Sequence, residues 1–295
     1  MKTINVVLDW FANTNHAGFF VALHKGYYRE AGLDVNIRGD AQNVMESGNA
    51  DITIAPQPSI LTGMDSGDKL TAVATLTQRN DSGILSLKQS GINSPGDITG
   101  KRLSYWATAW FDSLVGKAVN DNGGDYSKVH LIQKEVGDIE GSLGKEVDAV
   151  WVYKGWEYFV MVHAGKSVNY FEFADYGPIY DYCSPAVVAT HALINSAPDE
   201  LRAFLAGTDR GYIESVKDPG AAAEILVQYM EKADRRGPEL VTDSLRYIRA
   251  RFLNRAGSWG YIEPARWNAL ADHMVEQGLI KMRTDREFTN DFLGG

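Results

Sequence analysis

The stretch from Leu8 to Leu33 constrains the fold most, because it joins a strand end, a polar elbow and an amphipathic helix. The residues from Ile4 to Leu8 form a short apolar, β-branched run, long enough for a buried strand. Gly32 closes the helical segment. In open α/β sheets ligands bind at the carboxyl ends of strands, where a helix that opens points free backbone N–H groups at the ligand. The sequence therefore predicts a ligand-binding site at this elbow.

Bulk properties exclude several classes of protein. A chain of 295 residues is long for one core, so we expect two lobes. The net charge of −9 argues against a nucleic-acid partner, which needs basic patches. The single cysteine, Cys183, excludes an internal disulfide and a cysteine metal cluster, and a buried structural thiol is preferred over a nucleophile. The six histidines lack metal-ligand spacing, so neither a metal nor a cofactor is predicted.

Strands alternate with helices at short spacing, which predicts βαβ units and mostly parallel sheets. From Asn195 onward the pattern becomes helical, with prolines opening the helices. Residues 174–185 are predicted to form a loop, and Ser59 to cap a helix at 60–64. The predicted strands are 34–37, 50–55, 70–76, 83–87, 101–106, 129–132, 148–153 and 168–173, and the other helices before Asn195 are 41–47, 112–120, 139–143 and 156–163.

An internal echo supports two similar lobes. Residues 47–55 resemble residues 143–151, because each segment ends a helix with Gly and places an Asp, Asp51 or Asp148, directly before an apolar strand. Their separation of roughly a hundred residues is too large for a solenoid repeat. We predict one lobe from 1–86 plus 189–295 and a second from 87–188. The crossings near 82–87 and 184–188 are expected to form a hinge.

Aromatic residues gather at strand ends and elbows. Taken singly, each is best explained as core. Together with interleaved polar side chains, they predict a cleft that stacks a flat ring and hydrogen-bonds its edge. The predicted ligand-binding residues are Trp10, Asn13, Asn15, His16, Pro56, Gln57, Trp106, Thr108, Trp151, Tyr153, Trp156, Asp181 and Tyr182.

Some of these residues have a plain structural alternative. The polar run 13–16 is typical of a helix cap, although capping needs one such residue and this elbow has four. Asp181 is either an exposed loop carboxylate or the partner of a ligand amine. Asp9 and Asp51 are read as strand-end or turn residues. The sequence contains no G-x-S-x-G, H-E-x-x-H, P-loop or G-x-G-x-x-G motif, so no catalytic residues are predicted.

These segments resemble a known family. The runs L-D-W at 8–10, N-T-N-H-A-G at 13–18 and K-G-Y-Y-R-E-A-G-L-D-V at 25–35 resemble the opening of solute-binding proteins of ABC importers for thiamine-pyrimidine precursors, the formylaminopyrimidine-binding type. The likeness continues in family order at 123–129, 148–156 and 288–293. The G-Y-Y segment is shared with relatives that bind sulfonates, taurine or nitrate, whereas the N-T-N-H elbow and the W-x-x-x-G-W pattern at 151–156 are narrower.

The resemblance implies an α/β, two-lobed periplasmic-binding-protein-like fold of type II, whose lobes close on one small molecule. It implies that Trp10, the 13–16 elbow, Trp151, Tyr153, Trp156 and the Asp181-Tyr182 pair line an interlobe cleft. Three features depart from the family pattern: Ala12 stands where the family often has Pro, residues 106–110 replace a Gly-rich elbow, and Cys183 stands where a second Tyr is usual. These departures concern ligand identity more than the fold.

The expected function is therefore capture of a formylaminopyrimidine or hydroxymethylpyrimidine, and its delivery to the membrane subunits of an ABC importer. We expect a monomer without enzymatic activity. The alternatives are a pyrimidine-synthesising enzyme of the same superfamily, whose fungal branch carries a cysteine-rich motif, and a binder of a sulfonate, taurine, nitrate or a flavin precursor. A sulfonate or nitrate needs a cationic or N–H-rich pocket, and Lys154 is the one Lys or Arg in the named elbows.

The sequence shows no apolar run near the roughly 20 residues of a membrane span. No signal peptide is visible, since Met1 and Lys2 lead directly into the first strand. We expect the protein to be extracytoplasmic, in the periplasm or lipid-anchored, if an export signal has been removed. We expect it to be cytoplasmic if Met1 is the native start.

Overall fold

The computed structural model describes residues 1–39, 50–105, 108–133, 138–231 and 236–294. Within them the strands are β1 (Lys2–Leu8), β2 (Leu33–Gly39), β3 (Ile52–Ala55), β4 (Leu70–Thr75), β5 (Ser82–Leu87), β6 (Arg102–Tyr105), β7 (His130–Gln133), β8 (Ala149–Tyr153), β9 (Val168–Glu172) and β10 (Ala186–Thr190). The α-helices are α1 (Ala17–His24), α2 (Tyr27–Glu30), α3 (Gln57–Asp65), α4 (Ala109–Asp121), α5 (Ile139–Ser142), α6 (Phe159–His163), α7 (His191–Ser196), α8 (Pro198–Lys217), α9 (Pro219–Tyr229), α10 (Pro238–Ile248) and α11 (Pro264–Glu276).

The chain divides into two compact units. The larger unit comprises Met1–Arg79, Tyr182–Val275 and Ile280–Gly295, and the smaller unit comprises Asn80–Asp181 with Glu276–Leu279. Both crossings lie earlier in the chain than the boundaries expected from sequence, which followed residues 86 and 188. The reason is that β5 belongs entirely to the smaller unit and β10 entirely to the larger one.

Each unit is built on a five-stranded mixed sheet. The larger sheet has the order β2-β1-β3-β10-β4, and the smaller has the order β7-β6-β8-β5-β9. In the larger sheet β1 is parallel to β2 and β3, whereas β10 is antiparallel to β3 and β4. In the smaller sheet β6 is parallel to β7 and β8, whereas β5 is antiparallel to β8 and β9. Half of the pairings are thus antiparallel, so the expectation of mostly parallel sheets was too simple.

The strand β10 was not predicted from the sequence. Its residues were placed at a chain crossing, after a loop at 174–185. In the structure it lies between β3 and β4, and all of its residues except Thr190 are buried. A five-residue apolar run does not by itself distinguish a strand from a buried connection, and its partners lie more than a hundred residues away in the chain.

The internal echo corresponds to the same local structure in both sheets. Asp51 Oδ2 accepts the backbone N–H of Asn5 at 2.8 Å, and Asp148 Oδ2 accepts the backbone N–H of Arg102 at 2.9 Å. Each aspartate therefore ties the start of one strand to the neighbouring parallel strand. This confirms a structural role for Asp51.

The helix α1, which follows the first elbow, is held against α8 by very close packing. A Cβ atom at Gly18 would overlap the ring of Tyr212, and one at Gly211 would overlap the carbonyl of Gly18. The Tyr212 ring also stacks on Trp259, with ring centroids 4.6 Å apart, and meets Phe19 edge-on at 5.8 Å. The helix after the elbow is thus packed on an aromatic core.

Two local expectations need correction. Ser59 is not a cap, because α3 already begins at Gln57 behind Pro56, with a proline in its first turn. The helix expected over 156–163 instead begins as a π turn, Lys154–Tyr158, that continues into α6. The helix expected at 41–47 lies outside the described residues. No helix in the described ranges is long and apolar enough to cross a membrane.

Candidate functional site

Asn13 organises the elbow between β1 and α1. Its Oδ1 accepts the backbone N–H of Asn15 at 3.0 Å, and its Nδ2 donates to the carbonyl of Phe11 at 3.1 Å. It is the N-cap of a short 3-10 turn, Thr14–His16. Both ends of this buried amide are used within the elbow. Asn13 therefore supports a capping role rather than the ligand contact expected from sequence.

The His16 ring joins two parts of the same elbow. Its Nδ1 accepts the backbone N–H of Asn13 at 3.3 Å, and its Nε2 lies 2.8 Å from Asp9 Oδ1. Because Nδ1 acts as an acceptor, the ring hydrogen sits on Nε2 and is donated to the Asp9 carboxylate. The fully buried imidazole thus has both nitrogens engaged. Its geometry favours a positioning role over direct ligand contact.

Asn15 is the polar side chain of this elbow that is suited to bind a ligand. Its backbone N–H donates to Asn13, and its carbonyl accepts the Tyr212 hydroxyl at 2.6 Å. The residue is 6 % exposed, and its Oδ1 has no hydrogen-bond partner in the part of the chain that the structure describes. A buried acceptor left unpaired costs about 1–3 kcal/mol, which an N–H group of a ligand would offset. The partly exposed Trp10 ring lies in the same elbow and packs on Phe11 at 4.2 Å.

Gln57 and Tyr182 serve the packing of the larger unit. Gln57 is fully buried; its Nε2 donates to the carbonyl of Trp267 at 2.8 Å, and its Oε1 accepts the backbone N–H of Cys183 at 3.0 Å. The thiol of Cys183 is buried, as expected for a structural cysteine. Tyr182 is also buried, while Pro56 is partly exposed at the cap of α3. Both ends of the Gln57 amide are therefore used to hold the backbone at Cys183 and Trp267.

Trp151 belongs to an aromatic core in the smaller unit. Its ring meets Trp110 at 5.3 Å, Phe111 at 4.8 Å and Phe173 at 5.7 Å. These contacts join β8 to the start of α4. Trp151 therefore has the packing role that is usual for a buried aromatic side chain. Trp156 is buried as well.

Thr108 is the N-cap residue of α4, but its side chain does not cap the helix. Its carbonyl accepts the backbone N–H groups of Phe111 at 3.1 Å and Asp112 at 3.2 Å, but its side chain makes no cap hydrogen bond. The buried Oγ1 atom has no partner within the described ranges. Thr108 therefore remains a candidate ligand contact, whereas Trp106 lies outside the described residues.

Asp181 joins the two chain segments that enter and leave the smaller unit. Its Oδ1 accepts the backbone N–H of Asn80 at 2.8 Å, and Asn80 Nδ2 donates to the carbonyl of Tyr180 at 2.8 Å. Of the two readings of Asp181, this contact supports a structural carboxylate. The ligand role that the sequence left open for it gains no support from this geometry.

The elbow after β8 presents Tyr153 and Lys154. Tyr153 is partly exposed at the carboxyl end of the strand. The Lys154 ammonium lies over the rings of Tyr158 and Tyr170, 5.1 and 5.3 Å from their centroids. The cation of this elbow is therefore engaged with two aromatic faces.

Glu157, in the same elbow, was missed by the sequence reading. It is 6 % exposed, and its Oε2 accepts the backbone N–H of Tyr153 at 3.2 Å. Burial raises the pKa of Glu157 to about 8; its own N–H and that of Tyr153 oppose the rise, and the nearby charge of Asp81 adds to it. At neutral pH the carboxyl is thus protonated, so it has an O–H group that can donate a hydrogen bond as well as oxygen atoms that accept. The position of Glu157 just after an apolar strand could have indicated a site residue, but the sequence does not show that its side chain is buried.

A family profile described as NMT1/THI5 like matches residues 13–222, which include the polar run 13–16 and the elbow after β8. The chain belongs to the NMT1/THI5-like family. Proteins similar in sequence include a formylaminopyrimidine-binding protein of Halalkalibacterium halodurans, which is 26 % identical over 90 % of this chain and 83 % of the relative. A 4-amino-5-hydroxymethyl-2-methylpyrimidine phosphate synthase of Schizosaccharomyces pombe is 23 % identical over 98 % of this chain and 86 % of the relative.

The fold of this NMT1/THI5-like chain is that of periplasmic binding proteins. The aliphatic sulphonate binding protein SsuA from Escherichia coli superposes with a TM-score of 0.74, at 12 % identity and over 99 % of each chain. At that identity the likeness shows the fold alone. The two-lobed α/β fold class predicted from sequence is thereby confirmed, and so is the resemblance to the pyrimidine-binding family.

Proposed function

We propose that this NMT1/THI5-like protein binds a small aminopyrimidine, such as a formylaminopyrimidine or hydroxymethylpyrimidine precursor of thiamine. The observation that carries the proposal is the buried, protonated Glu157 carboxyl beside the Tyr153 elbow. A protonated carboxyl donates through its O–H and accepts through its C=O. Those two groups complement the ring nitrogen and neighbouring amine of an aminopyrimidine.

The larger unit supports the same ligand chemistry. Asn15 Oδ1 is a buried acceptor suited to an exocyclic N–H, and the partly exposed Trp10 ring is suited to stack on a flat heterocycle. The Lys154 ammonium already contacts two tyrosine rings, which makes it less suited to bind the negative charge of a sulfonate or nitrate. That the lobes close on one ligand remains the prediction made from sequence.

In this proposal the chain is a monomeric, non-enzymatic carrier that delivers its ligand to the membrane subunits of an ABC importer. The name of the Halalkalibacterium halodurans relative supports the binding role. The role would place the protein outside the cytoplasmic membrane, in the periplasm or lipid-anchored. The synthase relatives make an enzyme the second candidate. The single buried Cys183 disfavours it, because the resemblance drawn from the sequence implies a cysteine-rich motif for the fungal enzymatic branch.

A thermal-shift panel tests the ligand class. We would compare hydroxymethylpyrimidine, formylaminopyrimidine, riboflavin, taurine, nitrate and pyridoxal phosphate at equal concentrations. A ligand at a hundred times its Kd stabilises the folded state by about 2.7 kcal/mol, which corresponds to roughly 5–10 °C in Tm. We expect such a shift with the aminopyrimidines. A shift with taurine or riboflavin alone would reject the pyrimidine proposal, and consumption of pyridoxal phosphate would favour the enzyme.

Two substitutions link binding to the proposed carboxyl. Glu157→Gln keeps a donor and an acceptor, so its Kd at pH 7 should stay within a few-fold of wild type. Glu157→Ala removes both and should weaken binding about tenfold or more. The exposed Glu146 of the same unit provides the control Glu146→Gln, which should bind as wild type. Equal affinity in Glu157→Ala and wild type would remove Glu157 from the site.

A further inference from the structure

The segment Asn80 to Gly83, at the start of β5, holds the β8 elbow in place. Asp81 is fully buried, and its Oδ2 accepts the backbone N–H of Gly155 at 2.8 Å. Its carbonyl accepts the backbone N–H of Lys154 at 3.1 Å. Two successive amides of the elbow therefore donate to one residue, which fixes the backbone between Tyr153 and Glu157.

A third contact fixes Asp81 itself. The Tyr170 hydroxyl of β9 donates to the carbonyl of Asp81 at 2.5 Å. The Tyr170 ring reaches that carbonyl by passing over Gly83, where a Cβ atom would overlap the ring and the carbonyl of Phe171. The absence of a side chain at Gly83 is thus required for this contact. The arrangement joins β5, β8 and β9 at the end that carries the elbow.

Fold stability alone does not call for a carboxylate at this position. The negative charge of Asp81 acts on a second buried carboxyl, Glu157, and favours its protonated form. A neutral acceptor would satisfy the Gly155 N–H without the cost of burying a charge. Buried ionisable groups gathered beneath a strand-end elbow are typical of functional sites.

We propose that Asp81 is a positioning residue for ligand binding, which acts by holding the Lys154–Gly155 backbone so that Tyr153 and Glu157 face the ligand. The proposal rests on the function proposed above. Asp81 does not touch the ligand in this account. Its contribution passes through the two amides that it accepts.

The test compares Asp81→Ala and Asp81→Asn with a matched control, Asp148→Ala. Asp148 lies just before the other end of the same strand, β8, and likewise accepts a backbone N–H through its carboxylate. Three quantities are measured for each variant: the unfolding temperature, the hydrogen-exchange rates of the Lys154 and Gly155 amides, and the Kd for hydroxymethylpyrimidine.

Asp81→Ala should accelerate exchange at Gly155 and weaken binding, each by about tenfold or more, since a hydrogen bond to a charged group is lost. Asp81→Asn keeps an acceptor oxygen and should restore both quantities to within roughly threefold of wild type. Asp148→Ala should lower the unfolding temperature while leaving the Gly155 exchange and the Kd unchanged. A folded Asp81→Ala protein with wild-type exchange and Kd overturns the proposal, as does an equal loss of affinity in Asp148→Ala.

Tyr170→Phe keeps the test decisive if Asp81→Ala does not fold. It removes the hydroxyl that donates to the Asp81 carbonyl and keeps the ring, so exchange at Gly155 should rise and binding should weaken, with a Kd about threefold or more higher. Unchanged values would overturn the proposal. If the wild-type protein binds no aminopyrimidine, the proposed function fails separately. The exchange rate at Gly155 in Asp81→Ala then decides whether Asp81 positions the elbow.

Discussion

The buried Glu157 carboxyl makes a definite prediction about stability and pH. Its pKa is about 8 in the folded protein, against an ordinary value of 4.5 in the unfolded chain. Between these values the folded state holds a proton that the unfolded state has released. Stability that depends on this proton is therefore fully present below pH 4.5 and is lost as the pH rises towards 8. Glu157→Gln, which has no proton to lose, removes this dependence.

The size of the effect follows from the two pKa values. Each pH unit between them changes the free energy of unfolding by about 1.4 kcal/mol, so the wild type should lose about 3 kcal/mol relative to Glu157→Gln between pH 5.5 and 8. Above pH 8 the difference should level off. All other titrating groups are shared by the two proteins, so the difference isolates Glu157.

Urea unfolding followed by tryptophan fluorescence at several pH values measures this difference, with Glu146→Gln as the exposed control. We expect Glu157→Gln to gain stability over wild type as the pH rises, while the control shows a constant difference. A constant offset between Glu157→Gln and wild type across pH 5.5–8.5 would refute the claim that the carboxyl is buried and protonated.

Three further substitutions test the elbows and their supports. Asp181→Ala should lower the free energy of unfolding by about 1–3 kcal/mol through the lost contact with Asn80, measured by urea unfolding, and a binding defect without destabilisation would contradict this structural role. Gly211→Ala should destabilise by more than about 3 kcal/mol because its Cβ would overlap the carbonyl of Gly18; a wild-type Tm would contradict the packing. Asn15→Ala should weaken aminopyrimidine binding about tenfold in calorimetry with little change in Tm, whereas unchanged affinity would exclude Asn15 from the site.

Local signals in the sequence were sufficient for most of the fold. The apolar run before Trp10 and the polar elbow form a local pattern that β1 and the start of α1 follow. The helix expected to run on to Gly32 is instead two helices, α1 and α2, separated by Gly26 in the left-handed conformation. The prolines that open α8, α9, α10 and α11 were equally readable. The strand β10 escaped because its pairing is non-local and its apolar run is too short to identify it.

The candidate site was less readable, because burial and hydrogen-bond partners are tertiary properties. The four polar residues of the first elbow were predicted to exceed what a cap needs, yet Asn13 and His16 are both engaged within the elbow. Trp151 is an aromatic residue of a type that could stack on a ligand, but in the structure its ring packs against other aromatic rings of the core. Glu157 has a raised pKa only because the fold buries it beside Asp81, and no sequence pattern reports that environment.

Calorimetric titration of the wild-type protein with hydroxymethylpyrimidine, at pH 7 and again at pH 9, tests the central claim most directly. We predict saturable one-to-one binding that weakens by about tenfold or more at pH 9, where Glu157 has lost its proton, and that stays constant in Glu157→Gln. Absence of binding to the pyrimidine, together with saturable binding of taurine, would contradict the account.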